Sequence, residues 1–82
     1  MPTAIFESEP QASAAATVLR ELGFDSDVCV QGKNDFDDRA RQFLTGNSPP
    51  FEPKAILTSD ADAERFIRTV QRHYGVVVGD AS

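Results

Sequence analysis

Between residues 54 and 80 the sequence runs through strand, helix and strand signals without a break, and this order constrains the fold more than any other feature. Residues 54–58 are mostly aliphatic or β-branched and follow Pro53, which is typical of the start of a strand. From Ser59 a hydroxyl is followed three residues later by a carboxylate, the pattern of a helix N-terminus. We expect a strand over 54–58, a helix over 60–74 and a strand over 76–79.

The helix predicted over 60–74 has a single apolar face. Its apolar residues recur one turn apart, while the charged residues lie elsewhere. These apolar residues are Ala63, Phe66, Ile67, Val70 and Tyr74. Gly75 follows, and we expect it to take the left-handed conformation that ends many helices.

The N-terminal part of the chain repeats the same order. It predicts a strand over 3–7, a helix over 9–22 that starts after Ser8, and a strand over 27–31. Two such βαβ units in 82 residues predict one α+β domain of the ferredoxin-like, split-βαβ type. In this fold a four-stranded antiparallel sheet carries two main helices. We assign the first unit to 1–31 and the second to 54–80.

A middle segment, 32–53, separates the two units. Residues 35–44 predict an extra short helix, because their apolar residues fall on one helical face. Three prolines between 49 and 53 then predict an extended linker.

The two strands predicted over 3–7 and 54–58 carry apolar residues on both faces, whereas two helices cover only one. The second sheet face therefore needs the middle helix, a partner subunit in a homodimer, or a ligand. Aromatic residues assigned to this face and to the middle segment form a candidate binding surface. They are Phe6, Phe36, Phe43 and Phe51.

A basic stripe on the last helix is a second candidate binding surface. It consists of Arg65, Arg68 and Arg72. Asp62 precedes Arg65 by three residues and Glu64 precedes Arg68 by four, so local ion pairs balance part of the stripe. Two interpretations stay open, a solvated helix face and a surface that binds an acidic partner.

The net charge of −5, from thirteen acidic and eight basic residues, disfavours binding to nucleic acid or to anionic membranes. The N-terminus has no basic leader and the chain has no long apolar run, so we expect a soluble, cytoplasmic protein without a membrane span. Cys29 is the only cysteine, which excludes an internal disulfide and suits a reducing compartment.

No cofactor or metal motif is recognisable. The carboxylates near residue 35 lack the spacing of a calcium loop, and Gly32 with Lys33 lacks the upstream glycine of a phosphate loop. We therefore expect a non-catalytic regulatory or adaptor domain that binds a protein or a small ligand. One alternative is a cofactor-independent enzyme that uses His73 and Tyr74. Another is a purely structural subunit of a homo-oligomer.

Several stretches carry a resemblance to known bacterial proteins. The N-terminal unit has a strand, a polar turn, a helix over small residues and a Leu-x-x-x-Gly exit. In 4–12, 19–24, 28–30 and 55–64 the chain resembles the small bacterial family described as signal-transducing proteins. In 35–44 and 72–75 it is more loosely similar to small stress-protein domains of the same architecture. The resemblance implies a ferredoxin-like regulatory or binding domain, with no catalytic residues to carry over.

Overall fold

Four strands and three helices make up the computed structural model, which describes residues 1–33, 36–44 and 49–80, without the side chains of 42–44 and 80. The elements are β1 (Pro2–Phe6), α1 (Glu9–Glu21), β2 (Ser26–Val30), α2 (Phe36–Leu44), β3 (Ala55–Ser59), α3 (Ala63–Arg72) and β4 (Val76–Asp80). The fold is therefore α+β, as the sequence predicts. None of the described helices has the length and apolar character needed to cross a membrane.

The strands form one antiparallel sheet in the order β2, β3, β1, β4. At its centre β1 pairs with β3, and Ile5 lies opposite Ile56. α1 connects β1 to β2 and α3 connects β3 to β4, so each helix joins two strands that have one other strand between them. This connection brings the N-terminal and C-terminal units into a single sheet.

α1 and α3 cover one face of the sheet. The core on this face joins Phe6 and Leu57 of the central strands to Phe66 and Val70 of α3. α1 contributes mostly alanines, whose small side chains let its backbone approach the strands closely. Its buried residues are Ala12, Ala15, Ala16 and Leu19. Burial of this apolar face, rather than intrinsic helix propensity, is the main source of the stability of such short helices.

The middle segment covers the opposite face. Phe36 of α2 is only 5% exposed and forms a second core with Ile5 and Ile56, and Phe51 packs against it. Arg39 of α2 also donates a hydrogen bond to the Thr58 hydroxyl on β3, at 3.4 Å. Of the alternatives for covering this face, the structure shows coverage by the chain itself, because α2 and Phe51 lie over the centre of the sheet. A homodimer through an open sheet face would first require α2 to move away.

Phe6 corrects the predicted aromatic surface. It lies on the α1 and α3 side of the sheet and is fully buried, so it does not share a face with Phe36 and Phe51. The reason is the two-residue period of a strand, which sends Phe6 to the same side as Ala4 and away from Ile5. The side chain of Phe43 lies outside the described residues.

The start of α3 lies later than predicted, because Ser59 does not cap the helix. Ser59 is the last residue of β3, where its buried hydroxyl donates to the Asp25 carbonyl at 3.0 Å. The cap is Asp62, whose carboxylate accepts the Arg65 backbone N–H at 3.1 Å. Ser59 instead connects the end of β3 to the start of β2 through its hydrogen bond to Asp25.

The end of α3 also differs from the prediction that Gly75 takes the left-handed conformation. The left-handed residue is Tyr74, with φ of 63°, and Gly75 follows it with an ordinary φ. Gly75 is required for another reason. A Cβ atom on Gly75 would lie 2.5 Å from Cε2 of Phe6 and 2.8 Å from Cγ1 of Val70.

We predict that Gly75→Ala destabilises the protein by about 2 kcal/mol, because the added methyl group overpacks the core against Phe6. The free energy of unfolding in urea measures this effect. Gly32→Ala is the control for backbone strain without overpacking, since Gly32 has φ of 93° but open space around its Cβ position, and its cost should not depend on residue 6. Gly75→Ala should cost less in a Phe6→Leu background, whereas an equal cost in both backgrounds would contradict the proposed contact.

We predict that Tyr74→Gly stabilises the protein by about 0.5 kcal/mol, because glycine adopts the left-handed conformation without a steric penalty. Tyr74 is 78% exposed, so little packing is lost. Gln71→Gly, at an exposed position inside α3, is the matched control and should destabilise by about 1 kcal/mol. Thermal unfolding should show a higher melting temperature for Tyr74→Gly and a lower one for Gln71→Gly. Equal decreases in the two variants would refute the explanation.

Candidate functional site

A groove of about 300 Å³ lies between α1 and α3 on the outer surface of the helical layer. The two helices are in contact, and they run in opposite directions because the strands that precede them are antiparallel. We call this feature the α1–α3 groove. Its lining residues are Val18, Leu22, Arg65, Arg68, Thr69 and Arg72.

The α1 wall of the groove is apolar. Val18 and Leu22 stand one helical turn apart, beside the buried Leu19, on the flank of α1 that faces α3. They are 36% and 51% exposed, respectively. Exposed aliphatic residues are common when scattered singly, but here two of them adjoin one groove.

The α3 wall is basic. Arg65, Arg68 and Arg72 are three and four residues apart, so they lie along the same side of the helix. The cap at Asp62 fixes where α3 begins. The buried Phe66 and Val70 hold the opposite side of α3 against the sheet. The arginines consequently border the groove rather than the core.

The three arginines differ in their partners. Arg65 lies 3.6 Å from Asp62, and its guanidinium stands over the Phe24 ring, 5.6 Å from the ring centroid. Arg68 bonds to Glu64 at 3.0 Å. Both ion pairs expected from the sequence therefore form. Within the part of the chain whose side chains are described, Arg72 has no ion pair or hydrogen bond.

The existing ion pairs hold the groove arginines only weakly. The side chains of Arg68 and Glu64 are 67% and 77% exposed, so water screens their attraction. Exposed pairs of this kind typically contribute about 0.5 kcal/mol. A carboxylate from another molecule could therefore replace Glu64 at little cost, and Arg72 could bind one without displacing anything.

His73 and Tyr74, the residues of the enzyme alternative, lie at the C-terminal end of α3. The Nδ1 atom of His73 is 2.8 Å from the carbonyl oxygen of Thr69, one turn back in the same helix. Tyr74 projects into solvent. Neither residue lines the α1–α3 groove.

The described residues contain no cluster of three or more histidine, cysteine, aspartate or glutamate side chains able to hold a metal ion. A hydrogen bond from Gln31, reinforced by the charge of Lys54, lowers the pKa of Glu52 below its usual range. Glu52 belongs to an exposed cluster beside the end of β2, away from the groove.

The structure separates the two candidate surfaces of the sequence. Phe6 and Phe36 are buried on opposite faces of the sheet, and Phe51 packs against the second core. The arginines, in contrast, are exposed and share the groove with Val18 and Leu22. Sequence reasoning missed this apolar pair, although an i, i+4 pair beside a core stripe built mainly of alanines was a usable signal.

Comparison with protein-family models, curated proteins and solved structures finds no significant match to this chain.

We predict that Phe36→Ala destabilises the protein by about 3 kcal/mol, because it leaves a cavity between α2 and the sheet. Leu22→Ala is the matched control on the groove surface and should cost less than about 1 kcal/mol, since Leu22 is already half in water. Urea unfolding of both variants measures the difference. Equal small losses would mean that Phe36 belongs to a binding surface rather than to the core.

Proposed function

We propose that this chain is a small non-catalytic binding domain with a regulatory or adaptor role, and that it recognises a partner protein through the α1–α3 groove. The proposal is based on one observation. On a chain with a net charge of −5, three arginines and two exposed aliphatic residues face the same groove.

This combination suits protein recognition. Aliphatic side chains gain free energy when a partner removes them from water, and arginine is enriched at the centres of protein interfaces. The groove is basic although the chain as a whole is acidic. This charge distribution favours an acidic partner and opposes binding of nucleic acid. The two walls together support a specific contact better than either wall alone.

The position of the aromatic residues supports the same choice of surface. Phe6 and Phe36 serve the two cores, so they are unavailable to a partner while the fold is intact. Leu22 and the three arginines of the groove, in contrast, remain exposed and are available to a partner. Of the two surfaces suggested by the sequence, the basic one is therefore the better candidate.

We further propose that the fold is ferredoxin-like. The strand order β2, β3, β1, β4 and the two helices that each skip one strand support this assignment. Such folds carry enzymes as well as binding domains, so the fold alone does not choose the function. The resemblance to bacterial signal-transducing proteins agrees with a regulatory role, and the single Cys29 agrees with a cytoplasmic location.

Site-specific crosslinking tests the proposal in the cells that make the protein. A photo-reactive amino acid in place of Val18 should capture a partner protein, while the same group in place of Lys33, which is exposed in the turn before α2, should not. The captured protein is then purified and its affinity for the unmodified chain is measured by calorimetry.

We predict that Leu22→Glu and Arg72→Glu each weaken this binding by at least about tenfold, since each removes one element of the groove, either apolar contact or positive charge. Lys33→Glu makes the same change of charge as Arg72→Glu outside the groove and should leave the affinity nearly unchanged. Circular dichroism should show that all three variants remain folded, with melting temperatures within a few degrees of that of the unmodified chain. Unchanged affinity in both groove variants would overturn the proposal.

A further inference from the structure

Building on the proposed function, we infer that the occupant of the α1–α3 groove is an acidic amphipathic helix of the partner. Its aliphatic residues, one turn apart, pack on Val18 and Leu22. Its carboxylates face α3 and bind Arg72 first and Arg68 second. The partner is thus defined by a pattern, an aliphatic stripe beside an acidic stripe on one helix.

The walls of the groove favour a helix over an extended peptide. Both walls are helices, whose interior backbone N–H and C=O groups already bond within the helix. An extended peptide gains affinity by adding its backbone to a sheet edge, and the groove offers no such edge. A helix satisfies its own backbone groups and needs only side-chain contacts.

The dimensions also suit a helix of two to three turns. Arg65 and Arg72 are seven residues apart on α3, which corresponds to about 10 Å along the helix axis. Val18 and Leu22 are four residues apart on α1, or about 6 Å. Aliphatic residues at positions i and i+4 of a bound helix repeat the second spacing.

Charge sets the orientation of the bound helix about its own axis. The α3 wall carries the three arginines and the α1 wall carries the aliphatic pair, so the acidic stripe must face α3. Arg72 is the main determinant of this orientation, because Arg65 and Arg68 already have partners in the described structure. A small anion would satisfy Arg72 but would leave Val18 and Leu22 in water.

Glu64 acts as an internal competitor for the partner's carboxylates. It holds Arg68 through a bond of 3.0 Å, one turn apart on α3. Its side chain is largely exposed, so the bond exchanges readily with solvent. Replacing Glu64 by glutamine keeps the size of the side chain and releases the full charge of Arg68 for a ligand.

Fluorescence anisotropy with designed peptides tests this inference on the intact chain. The probe is a labelled peptide of about twelve helix-favouring residues, with two leucines four apart and glutamates positioned along one adjoining side of the helix that it forms when bound. We expect micromolar affinity, because a short peptide must be ordered on binding. A peptide of the same composition, with its leucines moved to opposite sides of the helix, is the control probe and should bind at least about tenfold more weakly.

Substitutions in the chain itself test which charges contribute to binding of the probe. Arg72→Gln should weaken binding of the probe by about tenfold, and Glu64→Gln should tighten it by about threefold. Lys33→Gln, the matched loss of one charge elsewhere, should change it little. Binding should also weaken as salt is raised, since exposed charges carry part of the affinity.

Three outcomes would overturn the helix inference: equal binding of the two peptides, complete competition by millimolar inorganic phosphate, or no effect of Arg72→Gln. The two proposals fail in different ways. A captured partner that depends on the groove, together with a probe that does not bind, would retain the proposed function and reject the acidic helix. A probe that binds as expected, with a captured partner indifferent to the groove variants, would reject the proposed function.

Discussion

The two central strands of this protein carry apolar side chains on both faces, and the rest of the structure depends on covering them. Phe6 and Ile5 are adjacent in β1, yet they belong to different cores. Leaving either face in water would expose a contiguous apolar patch, which is costly for so short a chain. α1 and α3 cover one side, and α2 with Phe51 covers the other. α2 and Phe51 are therefore part of the fold.

Covering both faces has a functional consequence. Phe6, Phe36 and Phe51 pack in or against the two cores, and the surface proposed for recognition lies on the outside of the helical layer. α1 packs through alanines and one leucine, so Val18 and Leu22 at the edge of this narrow face remain partly exposed. α3 packs through larger residues and keeps its arginines outside. The groove thus results from how two unequal helices share one side of a sheet.

In the recognition we propose, electrostatics would make the groove selective. The chain as a whole is acidic, but Arg65, Arg68 and Arg72 form a local positive wall. Asp62 and Glu64 moderate two of these charges through exposed ion pairs, which prevents a permanent strong attraction to any anion. The remaining charge, on Arg72, sits beside apolar surface, where partial exclusion of water by a partner would strengthen a new ion pair. The affinity and selectivity proposed for the groove rest on the combination of charge and apolar contact.

By itself, the sequence determined the features that arise from near neighbours along the chain. The order of strands and helices, the two apolar faces of β1 and β3, and the ion pairs on α3 all follow from residue spacing, because periodicity and i, i+4 contacts are local. Only the tertiary structure decided contacts between distant segments. These include Ser59 bonding to Asp25 rather than capping α3, Gly75 making room for Phe6, and the aliphatic wall of α1 meeting the arginines of α3. Such contacts depend on strand order and register, which no short window of sequence contains.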